Sequence, residues 1–217
     1  MLIVRPIVTL AALAALLFLC VIAVIRAQPE ATAVRAFLSP TENCAPPCWQ
    51  GIQPGITTSS EVVAILEAHP WVGRVYLGGS QTDARIFWQW NGQEPDFARQ
   101  LVSSFPDSYI YLYNNVVRYI RLSTRIPYGE VRSLLGAPDS GTFLPTTPNS
   151  FNALYFHTAG YFGGSVVFAT NVSCPATPAG FWNDPVVITY NDGSYVSLSA
   201  MPPYNLIPWV YESDCTE

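Results

Sequence analysis

The chain has 217 residues, with 10 basic against 15 acidic side chains and a net charge of −5, so electrostatics give a nucleic-acid partner no support. Every basic residue is an arginine. Without an amine, a Walker-A phosphate loop, a Schiff-base lysine and a Ser–Lys dyad are all excluded.

Residues 7–25 hold no charge and no helix breaker. Such a run, about nineteen residues, approaches the roughly twenty that a spanning helix needs and exceeds the usual core of a secretory signal. The run predicts an N-terminal transmembrane helix, membrane contact through residues 7–25, and a single-pass protein at the cell membrane with its C-terminal domain outside the cytoplasm. The alternative is a signal cleaved after Ala27 and a secreted product. Cys20 follows Leu17, Phe18 and Leu19 rather than the small residues of a lipoprotein site. The expected divisions are 1–26 anchor or signal, 27–50 linker with a Cys44/Cys48 staple, 51–123 a first α+β unit, 124–200 a second, and 201–217 a tail.

Thr58, with Glu61 three residues on, is a capping box, and Val62, Ile65 and Leu66 form the apolar face of a short helix stopped by His69 and Pro70. Strand patterns follow. RVYLGG is short, ARIFWQW alternates up to a hairpin signal at Asn91 and Gly92, and YIYLYNNVVRYIRL reads as a hairpin around Asn114 and Asn115. EVRSLLGAP at 130–138 then matches EVVAILEAHP at 61–70, with Pro127 suited to a first helical turn and Gly136 to a stop. NALYFHT and GSVVFAT read as strands, and VITYNDGSYVSLS at 187–199 matches IYLYNNVVRYIRLS at 110–123. A period of about seventy-five residues implies duplicated supersecondary units. The predicted fold class is therefore α+β: two similar units, each with short helices packed on an antiparallel sheet.

Beyond the apolar run the cysteines are Cys44, Cys48, Cys174 and Cys215, an even count that suggests two disulfides in an exported domain. Three connectivities are open. A local Cys44–Cys48 bridge needs Cα atoms about 4.4–6.8 Å apart, whereas four steps of polyproline II cover about 12 Å. Local pairing thus requires a bend within Ala45-Pro46-Pro47. A thiol redox or copper site is the functional alternative. It would need a suitably placed histidine, but His69 precedes Pro70 and His157 lies in a strand-like run. No catalytic triad, paired carboxylate, metal set or cofactor motif is recognisable. Glu94 and Asp96 flank Pro95 in a polar loop, and Asp139 and Asp192 sit where turns favour Asp.

Alternation places Tyr109, Tyr111 and Tyr113 on one strand face and Ile110 and Leu112 on the other. On the next strand Val117, Tyr119 and Arg121 oppose Ile120 and Leu122. In ARIFWQW, Ile86, Trp88 and Trp90 oppose Arg85, Phe87 and Gln89. The aliphatic faces read as core. The aromatic face is either a second packing layer or a binding face, since Tyr, Trp and Arg are the residues interfaces favour. Tyr109, Tyr111, Tyr113, Tyr119 and Arg121 are the candidate binding residues.

Gly55 and Thr57 at a helix start and Leu135, Gly136 and Pro138 at a helix end, followed by strands and a hairpin, resemble the small outer-membrane assembly lipoproteins of the SmpA/OmlA type. A tandem pair of such units resembles the β-lactamase inhibitor protein fold. The resemblance covers roughly 51–200. The first copy departs from it, with Glu67-Ala68-His69-Pro70 where the second has Leu135-Gly136-Ala137-Pro138. The resemblance implies an envelope role through protein–protein contact, and no family binding residues are carried over. The functional expectation is an extracytoplasmic, membrane-anchored, noncatalytic module that binds a protein or peptide. The alternatives are a carbohydrate-binding or glycan-processing module and a thiol redox or copper-handling protein.

Overall fold

A computed structural model describes residues 4–26, 29–38, 44–80, 82–98, 108–145, 154–173 and 177–193. The chain divides into two units, Met1–Ser39 and Pro40–Glu217.

The first unit holds α1, Val4–Arg26, and α2, Pro29–Leu38. The expected transmembrane helix is corrected: among the described residues no helix is long and apolar enough to cross a membrane. The side chains described on α1 are those of residues 12–23. Leu13, Leu16, Leu17, Phe18, Leu19 and Val21 among them are exposed. The stretch read as a linker contains α2, since its Ala, Glu, Arg and Leu residues favour helix.

In the second unit α3 spans Ser59–Ala68. Its start matches the sequence. The Glu61 carboxylate accepts the Thr58 N–H and the Thr58 hydroxyl, both at 2.8 Å. These bonds favour the ionised carboxylate, so its pKa lies below the ordinary value. Val62 and Leu66, one turn apart, are buried, and His69 ends the helix in an extended conformation that suits a residue before proline. β1 (Val72–Gly79) and β2 (Asp83–Trp90) form a hairpin. Its turn needs glycine at 79: φ is +104°, and a Cβ would lie 2.4 Å from the Asp83 carbonyl oxygen. Asn91 and Gly92 make no tight hairpin. Asn91 is held back toward the end of α3 by bonds to the Trp71 and Pro70 carbonyls, and the chain continues into the short 3-10 turn Asp96–Ala98.

β3 (Tyr109–Tyr113) and β4 (Val116–Pro127) do form the expected hairpin. Asn114 and Asn115 supply the two positive φ angles, 50° and 67°, of a turn whose twist suits the strands. α4 (Tyr128–Leu135) follows, with Pro127 at its N-cap and Gly136 at its end with φ 81°. Three more strands of the sheet come next: β5 (Ser140–Pro145), β6 (Leu154–Tyr161) and β7 (Val166–Ser173). Then α5 (Pro178–Asn183) leads to β8 (Pro185–Asn191). α5 opens where the Thr177 hydroxyl accepts the Gly180 N–H at 3.1 Å. β5 and α5 have no counterpart in the sequence reading.

The strands form one eight-stranded antiparallel sheet, in the order β1-β2-β3-β4-β8-β7-β6-β5. This corrects the expectation of two similar α+β units. The expected boundary at 123/124 falls inside β4, and β4 and β8 pair directly, Ile120 with Tyr190 and Leu122 with Ile188. The physical reason is edge satisfaction. Each strand group alone leaves a row of unpaired backbone groups on its last strand, and pairing β4 with β8 removes both rows. The second arm of the hairpin expected at 187–199 lies outside the described residues.

Register assigns the two faces. Ile86, Ile110, Ile120, Tyr190, Val166 and Tyr161 share one face, and Trp88 and Phe168 lie on it too. The helices cover this face. Val62 and Leu66 of α3 are buried beside β1 and β2, and Trp49 stacks on Trp88 with ring centres 5.9 Å apart. Under α4 and α5, Tyr128, Phe181 and His157 meet edge to face at 4.7–5.1 Å. Gly129 permits the close approach of these two helices, since a Cβ there would lie 2.9 Å from the Trp182 carbonyl oxygen.

Candidate binding face

The opposite face carries the tyrosines. On β3, Ile110 and Leu112 are buried in the core, which turns Tyr109, Tyr111 and Tyr113 the other way. Tyr109 lies opposite Arg121 and Tyr111 opposite Tyr119, but Leu112 pairs with Val117, leaving Arg118 as an extra residue in β4. This bulge corrects strict alternation, which placed Val117 with Tyr119. Val117 is instead fully buried on the core side.

β2 and β1 extend the face. Arg85 lies opposite Tyr111, Phe87 opposite Tyr109, and Tyr76 opposite Phe87. A row of Tyr76, Phe87, Tyr109 and Arg121 thus crosses four strands, with Arg85, Tyr111 and Tyr119 in the next row. Tyr111 stacks on Tyr119 at 5.0 Å and 23°, and the Tyr109 and Tyr119 hydroxyls are 3.1 Å apart. The Arg85 guanidinium lies 5.3 Å from the Tyr109 ring centre, Arg118 5.4 Å from Tyr113, and Arg74 5.9 Å from Tyr76. Such contacts contribute about 0.5–1 kcal/mol at exposed sites. Tyr113 is 45% exposed and Tyr76 38%, whereas Tyr119, beneath its neighbours, is 4% exposed. Tyr109, Tyr111 and Arg121 are half-buried. Partial desolvation first, then the charge of Asp83 and a hydrogen bond with it, raise the Tyr111 phenol above its ordinary pKa.

The structure therefore brings all five candidate residues onto one face. Sequence reasoning missed Arg74, Tyr76, Arg85 and Phe87 as members of it. Alternation had already grouped Arg85 with Phe87, but only strand register shows which tyrosines they join.

Cys44 and Cys48 are disulfide-bonded, with Cα atoms 5.2 Å apart. The required bend is present, with the Cys48 N–H donating to the Ala45 carbonyl at 3.0 Å. Cys174 and Cys215 lie outside the described residues. Among the described residues neither histidine lies in a cluster of metal-ligating groups. His69 packs edge-on to Trp71, and burial lowers its pKa. His157 lies among Tyr128, Phe143 and Phe181, where burial lowers its pKa to about 3. Among the described residues no three His, Cys, Asp or Glu side chains group as a metal site would require. Glu94 accepts the Gly92 N–H, and Asp139 the Gly163 N–H, as turn residues do. A cleft of about 600 Å³ opens where β4 meets β8, lined by Pro47, Gly55, Arg118, Gly164 and Asp192. There Arg118 and Asp192 neutralise each other at 2.9 Å.

Compared with protein-family models, with curated proteins and with solved structures, the chain matches none. The resemblance to SmpA/OmlA-type units therefore rests on the residues that carry it.

Proposed function

We propose that this is a noncatalytic binding module acting outside the cytoplasm, and that it holds a protein or peptide partner on the aromatic face of β1–β4. The observation that carries this reading is the row of Tyr76, Phe87, Tyr109 and Arg121, with Tyr111, Tyr113 and Arg85 beside it. These side chains lie opposite the helix layer, with Tyr76, Arg85 and Tyr113 exposed and Phe87, Tyr109, Tyr111 and Arg121 half-buried. Rigid aromatics and arginine bury contact area at low cost in conformational entropy, which is why they dominate interfaces. The Cys44–Cys48 bridge supports an oxidising compartment. The resemblance to envelope lipoproteins points the same way. Contact of residues 7–25 with a lipid surface belongs to this proposal and rests on the exposed apolar side chains of α1. A glycan partner is favoured less, because sugars stack on open ring faces and the two most exposed rings of this face, Tyr76 and Tyr113, each have an arginine over one face.

The test is capture from an envelope extract by the immobilised full chain, compared with a Tyr111→Ser/Tyr113→Ser variant. The wild type is expected to retain a partner that the variant loses. An identical captured set would sink the reading.

A further inference from the structure

The aromatic face has a charge opposite to that of the chain. The protein carries −5 overall, yet Arg74, Arg85 and Arg121 all project from this face, opposite Gln89, Tyr111 and Tyr109. Asp83, opposite Tyr113, is an acidic group at the end of the face, where its charge acts on Tyr111. The nearby Asp192 is held by Arg118.

Among the described residues, none of the three arginines forms an ion pair. Arg85 and Arg74 lie over tyrosine rings, and Arg121 has a buried Nε without a hydrogen-bond partner. A guanidinium stacked on a ring keeps its N–H groups in plane and directed away from the ring, the arrangement that receives a carboxylate through two parallel bonds. Arg85 and Arg121 lie two strands apart, about 10 Å by strand spacing. Tyr109, Tyr111 and Tyr119 fill the gap between them.

We infer that the occupant of the face is an acidic segment of a partner polypeptide. Its Asp or Glu carboxylates engage Arg85, Arg121 and Arg74, and its interleaved apolar or aromatic side chains pack on Phe87 and Tyr109. This inference rests on the binding-face reading and adds the chemistry of the partner. The contacts are ionic, hydrogen-bonded and apolar, and no covalent step is involved.

The experiment is fluorescence anisotropy of the full chain with a labelled peptide of alternating Glu and Tyr, against the same peptide with Gln for Glu. The acidic peptide is expected to bind at least about tenfold more tightly at ~50 mM salt, with the advantage shrinking as salt is raised toward ~0.5 M. An Arg74→Gln/Arg85→Gln variant, altered at two exposed side chains, is expected to lose that preference while its thermal midpoint stays put. Equal binding of the two peptides overturns the inference, as does a preference that survives in the variant. If both peptides bind equally and Tyr113→Ser weakens both, acidity fails while the face stands. If neither peptide binds but phosphatidylglycerol vesicles do, the acidic-peptide inference falls and a lipid headgroup takes its place. The face itself then stands or falls by the capture experiment.

Discussion

The two halves of the sheet place their aromatic residues on opposite faces. In β1–β4 the helix side is largely aliphatic, with Ile86, Ile110, Leu112, Ile120 and Leu122 buried on it, and most rings stand on the far side. In β5–β8 the helix side is aromatic, with His157, Phe181, Tyr128 and Phe143 packed together and Phe168 against Tyr161, and the far side is mostly small or β-branched, with Thr158, Val167, Ala169 and Val187, Phe156 being the exception. Both halves alternate equally well along their strands. The lesson is that the side with the large rings is not by itself the core side or the functional side. The face covered by helices becomes core whatever its composition, and a ring-rich face that none of the described helices covers needs another explanation.

The largest test of this contrast is Phe181→Ala. In the aromatic core under α4 and α5 it removes the ring that touches Tyr128, His157 and Phe143. A loss of about 3–5 kcal/mol is expected, read from urea unfolding. A loss below about 1 kcal/mol would mean that this half has no tight aromatic core.

The second test uses pH. The folded pKa of His157 is depressed to about 3, below the ordinary value of 6.5. Below pH 6.5 the unfolded chain therefore takes up a proton that the folded chain refuses. Stability is full above pH 6.5 and falls with acid toward pH 3, by up to about 1.4 kcal/mol per pH unit from this group. His157→Gln is expected to flatten the acid limb of the urea midpoint between pH 7 and pH 4. Parallel limbs would place His157 outside the buried aromatic core.

The smallest expected effect belongs to the uncovered face. Tyr113→Ser should leave stability within about 0.5 kcal/mol by thermal unfolding, as surface substitutions do. A loss near 2 kcal/mol would show that this face is a second packing layer and would remove the contrast between the halves. Tyr119 would be the wrong probe, because it is already buried by its neighbours.

The features legible in sequence were those closed by near neighbours. The Thr58–Glu61 capping box, the stop at His69 and Pro70, the paired asparagines of the β3–β4 turn and the positive φ at Gly136 each involve residues within a few positions. The alternation that sends Tyr109, Tyr111 and Tyr113 one way and Ile110 and Leu112 the other is equally local. The bulge at Arg118 was not legible, because it is a property of two strands and leaves no mark in one. Asn91 and Gly92 misled for the same reason. Their backbone permits a hairpin, but Asn91 bonds to Pro70 and Trp71, far back in the chain.

By itself the sequence determined where α3 and α4 start, which side chains alternate, that the chain is negative, and that its basic groups are all arginines, since each of these follows from residue type and spacing. Only the tertiary structure decided that β4 and β8 join the strands into one sheet, which face the helices cover, and that Arg74 and Arg85 stand with the tyrosines rather than elsewhere. The reason is range. Strand pairing and layer packing bring together residues tens of positions apart through backbone hydrogen bonds that any sequence can make, so the register is set by the assembled sheet and not by the strand alone.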